Sequence, residues 1–296
     1  MTDLTPINIM SLRHSAFYSP LLVCISGGYL HDEGLEPHYE VQTPGRTVVD
    51  TIRSGETHLA QSAAAVSFAD LEAGREVDIV HFAQINERDG FFLAGREPKA
   101  DFVWQDLIGK EVLVDHFFQP LAMFKYALHR QGIPFDAIKV IDAGDVAAID
   151  QAFRSGRGDF VHQQGPAPQQ MEQDGIAHVA AAVGDAIGPV AFSSLCASRE
   201  WVHTDMARAF MRAYRKARAW TIEAPLEELA DKVAGFFPAI DCTVLTHTLG
   251  VYQKLGCWTP DPAISQTAYE TLLDVFMHSG YITKRHSYAA AIVSPP

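Results

Sequence analysis

The chain has 296 residues, 48% hydrophobic and 20% charged, with a mean hydropathy near zero. That is a soluble globular make-up, neither disordered nor fibrous, with room for one large domain or two medium ones. Its formal charge is −13 at pH 7, and an acidic surface without a long Lys/Arg run argues against a nucleic-acid partner, whose phosphates it would repel. No stretch approaches the roughly 18 apolar residues that span a bilayer, so no membrane insertion is expected. Met1 to Met10 shows neither the basic start nor the apolar run of a secretion signal. The chain is therefore expected in the cytoplasm, or in a periplasmic or other extracytoplasmic space if a leader has been removed.

In chain order, the apolar run Ile7 to Leu12 predicts a strand and Ser19 to Leu30 a helix, with Gly34 as a stop signal. Leu35 to Val41 predicts the next strand, Thr47 to Arg53 a short helix ending near Gly55, and Thr57 to Gln61 a third strand. The same order then returns at a spacing close to 100 residues. Phe17-Tyr18-Ser19-Pro20-Leu21 matches Phe117-Phe118-Gln119-Pro120-Leu121, each after an apolar run, and Gly28 to Leu35 matches Tyr126 to Ile133. Thr43-Pro44-Gly45 with Asp142-Ala143-Gly144, and Arg53-Ser54-Gly55 with Arg154-Ser155-Gly156, continue the correspondence.

After Ser198 the pattern changes. Asp205 to Ile222, capped by Thr204, and then Leu226 to Phe236, Asp241 to Leu255 and Ile264 to His278 have helical character. Pro238, Pro260 and Gly280 separate them, and they are expected to buttress one lobe, with Trp201, Trp220, Phe236 and Phe237 in its core. Cys24, Cys196, Cys242 and Cys257 form no C-x-x-C pair. Scattered reduced core thiols are the expectation, and a Cys242–Cys257 disulfide is the alternative in an oxidising compartment.

Strands alternating with helices imply crossover units and largely parallel sheets. The repeat therefore predicts an α/β fold of two similar lobes, each a doubly wound mixed sheet, facing each other across a cleft. In such sheets ligands sit at the carboxyl ends of the strands. The first lobe then offers Arg13 to Tyr18 and the residues from Gln61, and the second Asp115 to Gln119 and the residues from His162. No G-x-G-x-x-G follows the first strand, which disfavours a simple dinucleotide-binding domain.

Gly28-Tyr29-Leu30 through Gly34-Leu35 resembles the GYF-x-x-x-GL signature of the NMT1/THI5-like family of solute-binding proteins. Ser54-Gly55-Glu56-Thr57-His58-Leu59-Ala60, Arg88-Asp89-Gly90-Phe91-Phe92-Leu93, Asp106-Leu107-Ile108-Gly109-Lys110 and Gly156-Arg157-Gly158-Asp159 follow in family order, over roughly residues 7 to 220. The resemblance implies a type II periplasmic-binding-protein fold with a hinge, crossed near Arg96 to Val103 and near Gly188 to Ser194. Residues 1–97 and 192–296 would form one lobe and 98–191 the other. The sequence departs from the family in two places. No acid precedes Pro in Val161-His162-Gln163-Gln164-Gly165-Pro166, and Asp115-His116-Phe117-Phe118-Gln119 replaces the usual small-residue loop. Bulky aromatics there suggest a ligand with a flat or apolar part rather than a bare oxyanion.

Within the expected cleft, Arg13 and His14 precede a helix N-terminus and suit a carboxylate, sulfonate or phosphate. An exposed pair or an interlobe salt bridge is the alternative. Ser15, beside His14 but with no third partner, is taken as a ligand contact, and no catalytic residue is assigned. Phe17 and Tyr18 from one wall, and Phe117 and Phe118 from the other, offer stacking area, at least one per loop being expected to turn into its core. Gln61, Ser62, Gln119, Gln163 and Gln164 supply neutral donors and acceptors. His116 and His162, with His14, could hydrogen-bond a ligand. They come from separate loops without metal spacing, so neither metal nor cofactor is expected. The expected role is capture of a small organic anion or heteroaromatic molecule by hinge closure, serving an ABC-type permease. A cytoplasmic enzyme on the same fold, resembling pyrimidine synthases or a desulfinase, is the rival.

Overall fold

The structure is a computed structural model that describes residues 4–296. The first lobe is built by β1 (Thr5–Ser11), α1 (Ser19–Ser26), β2 (Leu35–Val41), α2 (Val48–Ser54), β3 (Leu59–Ser62), α3 (Phe68–Glu72) and β4 (Ile79–Asn86). The chain then crosses. The second lobe holds β5 (Phe91–Gly95), β6 (Glu111–Val114), α4 (Phe118–Arg130), β7 (Lys139–Ile141), α5 (Val146–Arg154), β8 (Phe160–Gln164), α6 (Ala167–Gln173), β9 (His178–Ala182) and α7 (Val183–Ile187). After the return come β10 (Ser193–Ser198), α8 (Asp205–Glu223), α9 (Leu226–Val233), α10 (Cys242–Lys254), α11 (Gln266–His278) and α12 (Tyr288–Ala291).

The two sheets have the same plan. One runs β2-β1-β3-β10-β4 and the other β7-β6-β8-β5-β9. In each, the first three strands are parallel and the fourth pairs antiparallel on both sides. That fourth strand is the one laid down just after a crossing, β5 in the second lobe and β10 in the first. The sequence repeat is therefore a repeat of architecture, and each lobe is completed by a strand that arrives from the other.

The first crossing comes earlier than the sequence suggested. Phe91–Gly95 already belongs to the second sheet, through β8 and β9, so the connection is Glu87 to Gly90 and not Arg96 to Val103. Strand pairing across sheets is non-local, and nothing within Phe91–Gly95 reveals which partner it takes. Gly90 is required there, because a Cβ would lie 2.6 Å from the Phe17 ring. The return runs from Gly188 to Phe192, between α7 and β10.

Local chemistry explains the element ends. Thr47 caps α2 through Asp50 N–H at 3.2 Å, and Thr204 caps α8 through Ala207 N–H at 3.2 Å. The first helix stops at Ser26 and not Leu30, because Gly27 and Gly28 follow, the latter at φ +83°. The C-terminal helices α8, α9 and α10 lie against α1 and the turn before it in the first lobe, while α10 also meets α6 and α11 packs on α4 of the second. Tyr214, Tyr252 and Phe276 are fully buried among them. Trp201, Trp220 and Phe236 are only partly buried at the edge of this core. All four cysteines are free; Cys242 is exposed while Cys24, Cys196 and Cys257 are buried. No described helix is long and apolar enough to cross a membrane.

Candidate functional site

The carboxyl ends of β1 and β3 face those of β6 and β8. Beyond β1 the chain makes a short 3-10 turn, Ala16–Tyr18, which Ser15 caps by accepting the Phe17 N–H at 3.1 Å. The same Ser15 hydroxyl donates to the Gly165 carbonyl beyond β8 at 2.9 Å, so one side chain ties the two lobes. Arg13 makes a second tie. Its guanidinium donates to both Asp115 oxygens at 2.7 and 3.3 Å and lies 4.5 Å from the Phe117 ring centroid. Burial alone would raise the Asp115 pKa, but the hydrogen bond and charge of Arg13 outweigh it and hold the carboxyl below its ordinary value.

These ties separate two connected compartments that share Arg13, Phe117 and Gln164. The inner one is a narrow slot of about 40 Å³ between Tyr18, Phe91, Phe118 and Phe192. The outer one is a groove of about 670 Å³, bordered by Ser15, Asp142, Asp145, Gln163 and Phe237. A slot of that size holds little more than water, whereas small-molecule sites run to roughly 300–1,000 Å³. The inner compartment is too narrow for such a ligand, which must part the walls to enter it.

The expected site residues divide accordingly. Tyr18, Gln61, Phe118 and Gln119 line the slot, His14, Ser15, His116 and Gln163 the groove, and Arg13 and Phe117 both. Phe118 is held by Phe276 and Tyr281, at 4.8 Å each between ring centroids. Burial pushes the Tyr18 hydroxyl up to about 12, so it stays a neutral donor. His14 is drawn to the rim: one ring nitrogen lies 3.0 Å from the Tyr39 hydroxyl, the other 2.8 Å from the Phe236 carbonyl, and the ring stacks on Phe237. His116 bonds the Val114 carbonyl at 2.8 Å.

Three expected residues are placed elsewhere. Phe17 has no exposed surface and packs on Phe192 and Tyr252, while its carbonyl accepts from Asn86 and Trp258. It is a core residue. Ser62 faces a different pocket, with Cys196 and Ile79, behind the sheet. His162 is wholly buried, sandwiched between Phe91 at 4.7 Å and Phe124 at 4.9 Å, and neither ring nitrogen has a partner. It pairs with Leu93 and Val114 inside the sheet, two residues short of the strand end. Burial lowers its pKa to about 3, so the ring is neutral at ordinary pH. The imidazole cluster across the cleft therefore does not form, and among the described residues no group of three metal-ligating side chains converges.

Sequence reasoning passed over other contributors. The interlobe salt bridge weighed as the alternative for Arg13 is what forms, but the sequence did not single out Asp115 as its partner. Phe91 and Phe192 flank the crossings, Phe237 was expected in the core, and neither Asp142, seen only within the repeat, nor Asp145 was singled out as a site residue. Asp89, on the first crossing, is buried: one oxygen accepts the Phe91 N–H at 2.6 Å and the other has no partner. Burial pushes its pKa up to about 7.

Two like lobes exchanging strands, with polar and aromatic side chains converging between them, define the class of two-lobed proteins with the periplasmic-binding-protein fold. The model of the family described as NMT1/THI5 like matches residues 16–228, and the chain belongs to that family. It is 28% identical to "Putative binding protein YtlA" of Bacillus subtilis over 289 residues, 96% of this chain and 86% of that one. Its fold is similar to that of the periplasmic aliphatic sulphonate binding protein SsuA of Escherichia coli, with a TM-score of 0.76 at 15% identity over 97% of each chain. It is also similar to the alkanesulfonate-binding protein SsuA of Xanthomonas axonopodis pv. citri bound to MOPS, with a TM-score of 0.74 at 16% identity over 99% of this chain and 100% of that one.

Proposed function

We propose that this chain is a solute-binding protein that captures a small organic molecule, an anion or a heteroaromatic compound, between its lobes by hinge closure. In this proposal it hands that molecule to an ABC-type permease from the outer side of the membrane. The observation that carries the reading is the pair of interlobe ties, Arg13–Asp115 and Ser15–Gly165, at the edge of an aromatic slot closed to about 40 Å³. Walls that meet through side chains at their mouth can part without breaking either sheet, and closing them over a ligand buries it from both sides. The relatives named above, which bind sulfonates or are described as a binding protein, support the same role.

The chemistry of the cleft supports binding over catalysis. The Ser15 hydroxyl donates to a carbonyl, and both His14 nitrogens are engaged at the rim, so no nucleophile–base pair is formed there. Burial raises the thiols of Cys24 and Cys196 well above the range of a reactive cysteine. The test is a thermal-shift screen of organic anions and heteroaromatic compounds, followed by mass spectrometry of each stabilising compound. Recovery unchanged after long incubation is expected, and conversion to a product contradicts the reading.

A further inference from the structure

The orientation of two buried amides says more about what enters the cleft, on the basis of the binding reading above. Gln119 is 6% exposed and lines the slot; its Nε2 donates to the Phe192 carbonyl at 2.7 Å. Gln163 is 1% exposed and lines the groove; its Nε2 donates to the Val146 carbonyl at 3.0 Å. Flipping either amide would set two carbonyl oxygens against each other, so each orientation is fixed by its neighbour. Each side chain is thereby left with Oε1 as an unpaired acceptor. Both oxygens are sealed from water and neither has a donor, while Gln164 Nε2, on a residue that lines both compartments, is buried without an acceptor. A buried polar group without a partner forfeits its hydration for nothing, and two such acceptors against the one Gln164 donor call for a partner that brings mainly N–H groups.

The charges point the same way. Arg13 is the cation of the site, and Asp115 already meets it with both oxygens while Phe117 covers its face. The groove then adds Asp142 and Asp145, and its histidines bond Tyr39, the Phe236 carbonyl and the Val114 carbonyl. An incoming anion meets more carboxylate than unmatched cation. We propose that the cleft selects a planar molecule, neutral or cationic, that carries N–H donors, with Gln119 Oε1 and Gln163 Oε1 as the acceptors that orient it.

The experiment titrates the full chain, by calorimetry and thermal shift, with benzamidine and benzamide, which carry N–H donors. Benzoate and benzenesulfonate share the ring and lack such donors. Benzamidine and benzamide are expected to bind, and the two anions to bind at least tenfold more weakly. Gln119→Leu and Gln163→Leu should each weaken benzamidine about tenfold, the worth of one desolvated hydrogen bond. Gln163→Glu, which keeps an acceptor and adds charge, should bind benzamidine at least as tightly as the parent. Ligand-free melting and circular dichroism establish that each variant is folded. Anions that bind as well as benzamidine overturn the inference and leave the cleft reading standing. Benzamidine affinity equal in all variants overturns it, and so does failure of every probe to bind. Binding of either class that Phe117→Ala leaves untouched places the ligand outside the cleft, and it is then the binding reading that falls.

Discussion

Phe17 and Phe117 occupy matching places in the two copies of the repeat, just before the helix that follows β1 in the first lobe and β6 in the second. Their fates are opposite. Phe17 has no exposed surface, while Phe117 is 46% exposed and forms a wall of the cleft beneath Arg13. The difference comes from outside the repeat. Tyr252 in α10 and Trp258 just beyond it close over Phe17, whereas in the second lobe Phe276 and Tyr281 cover Phe118 and leave Phe117 open. A motif repeated in sequence leads into a helix in both lobes, through a 3-10 turn at Phe17 and an extended cap at Phe117, but only the uncovered copy remains a ligand surface.

The sharpest way to break this contrast is to truncate both residues. Phe17→Ala should cost about 3–5 kcal/mol of stability, as expected for a buried aromatic in a packed core. Phe117→Ala should cost less than about 1 kcal/mol and be felt in ligand affinity instead. Urea denaturation with equal m-values measures both, and similar losses would contradict the asymmetry.

Next in size is the interlobe tie. Arg13→Ala leaves the buried Asp115 carboxylate without its cation and should cost about 1–3 kcal/mol. The Asp115 pKa is held below that of an unfolded Asp, so its contribution is present above the ordinary value of about 4. It is lost as pH falls through the lower, folded value. Asp115→Asn should accordingly flatten the stability profile below about pH 4 and leave its shape near pH 7 unchanged. A profile still as steep as the parent's in that acid window would show that the pair does not hold the lobes.

Each lobe also buries a neutral histidine, His81 at 2.8 Å from the Ser194 hydroxyl and His162 between two aromatic rings. Burial lowers both pKa values to about 3, against roughly 6.5 when unfolded. The unfolded chain takes up these protons first, so stability should fall with decreasing pH from about 6.5 toward 3. His162→Phe suits the aromatic sandwich and should remove one proton from that slope, seen in denaturation midpoints at pH 7 and pH 5. An effect of similar size and opposite sign is expected at the crossing. Asp89, raised to about 7, costs stability as pH climbs from about 4 to 7. Asp89→Asn should relieve that loss at pH 8 while leaving stability near pH 4 little changed.

The architecture was legible because a repeat of strand, turn, helix and glycine stop is local chemistry, written where it acts. The position of Phe91–Gly95 was not, since the lobe it joins is decided by β8 and β9, some 65 to 90 residues away. The site was only half legible for the same reason. Arg13 stood out as a cation before a helix, but its pairing with Asp115 belongs to the facing wall. His162 and Gln163 are neighbours in sequence, yet His162 lies inside the sheet and Gln163 reaches the groove. No breaker before Gly165 marks where the strand ends. Sequence chemistry named the loops; packing chose which side chains in them face the ligand.

The central claim is that one molecule is held by both lobes at once. Hydrogen exchange followed by mass spectrometry, with and without a compound that raises the melting temperature, tests it directly. The account predicts simultaneous protection of the loops around Arg13–Tyr18 and Asp115–Gln119, together with Gln163–Gly165, and recovery of the compound unchanged. Protection confined to one lobe, or lying away from these loops, would contradict it.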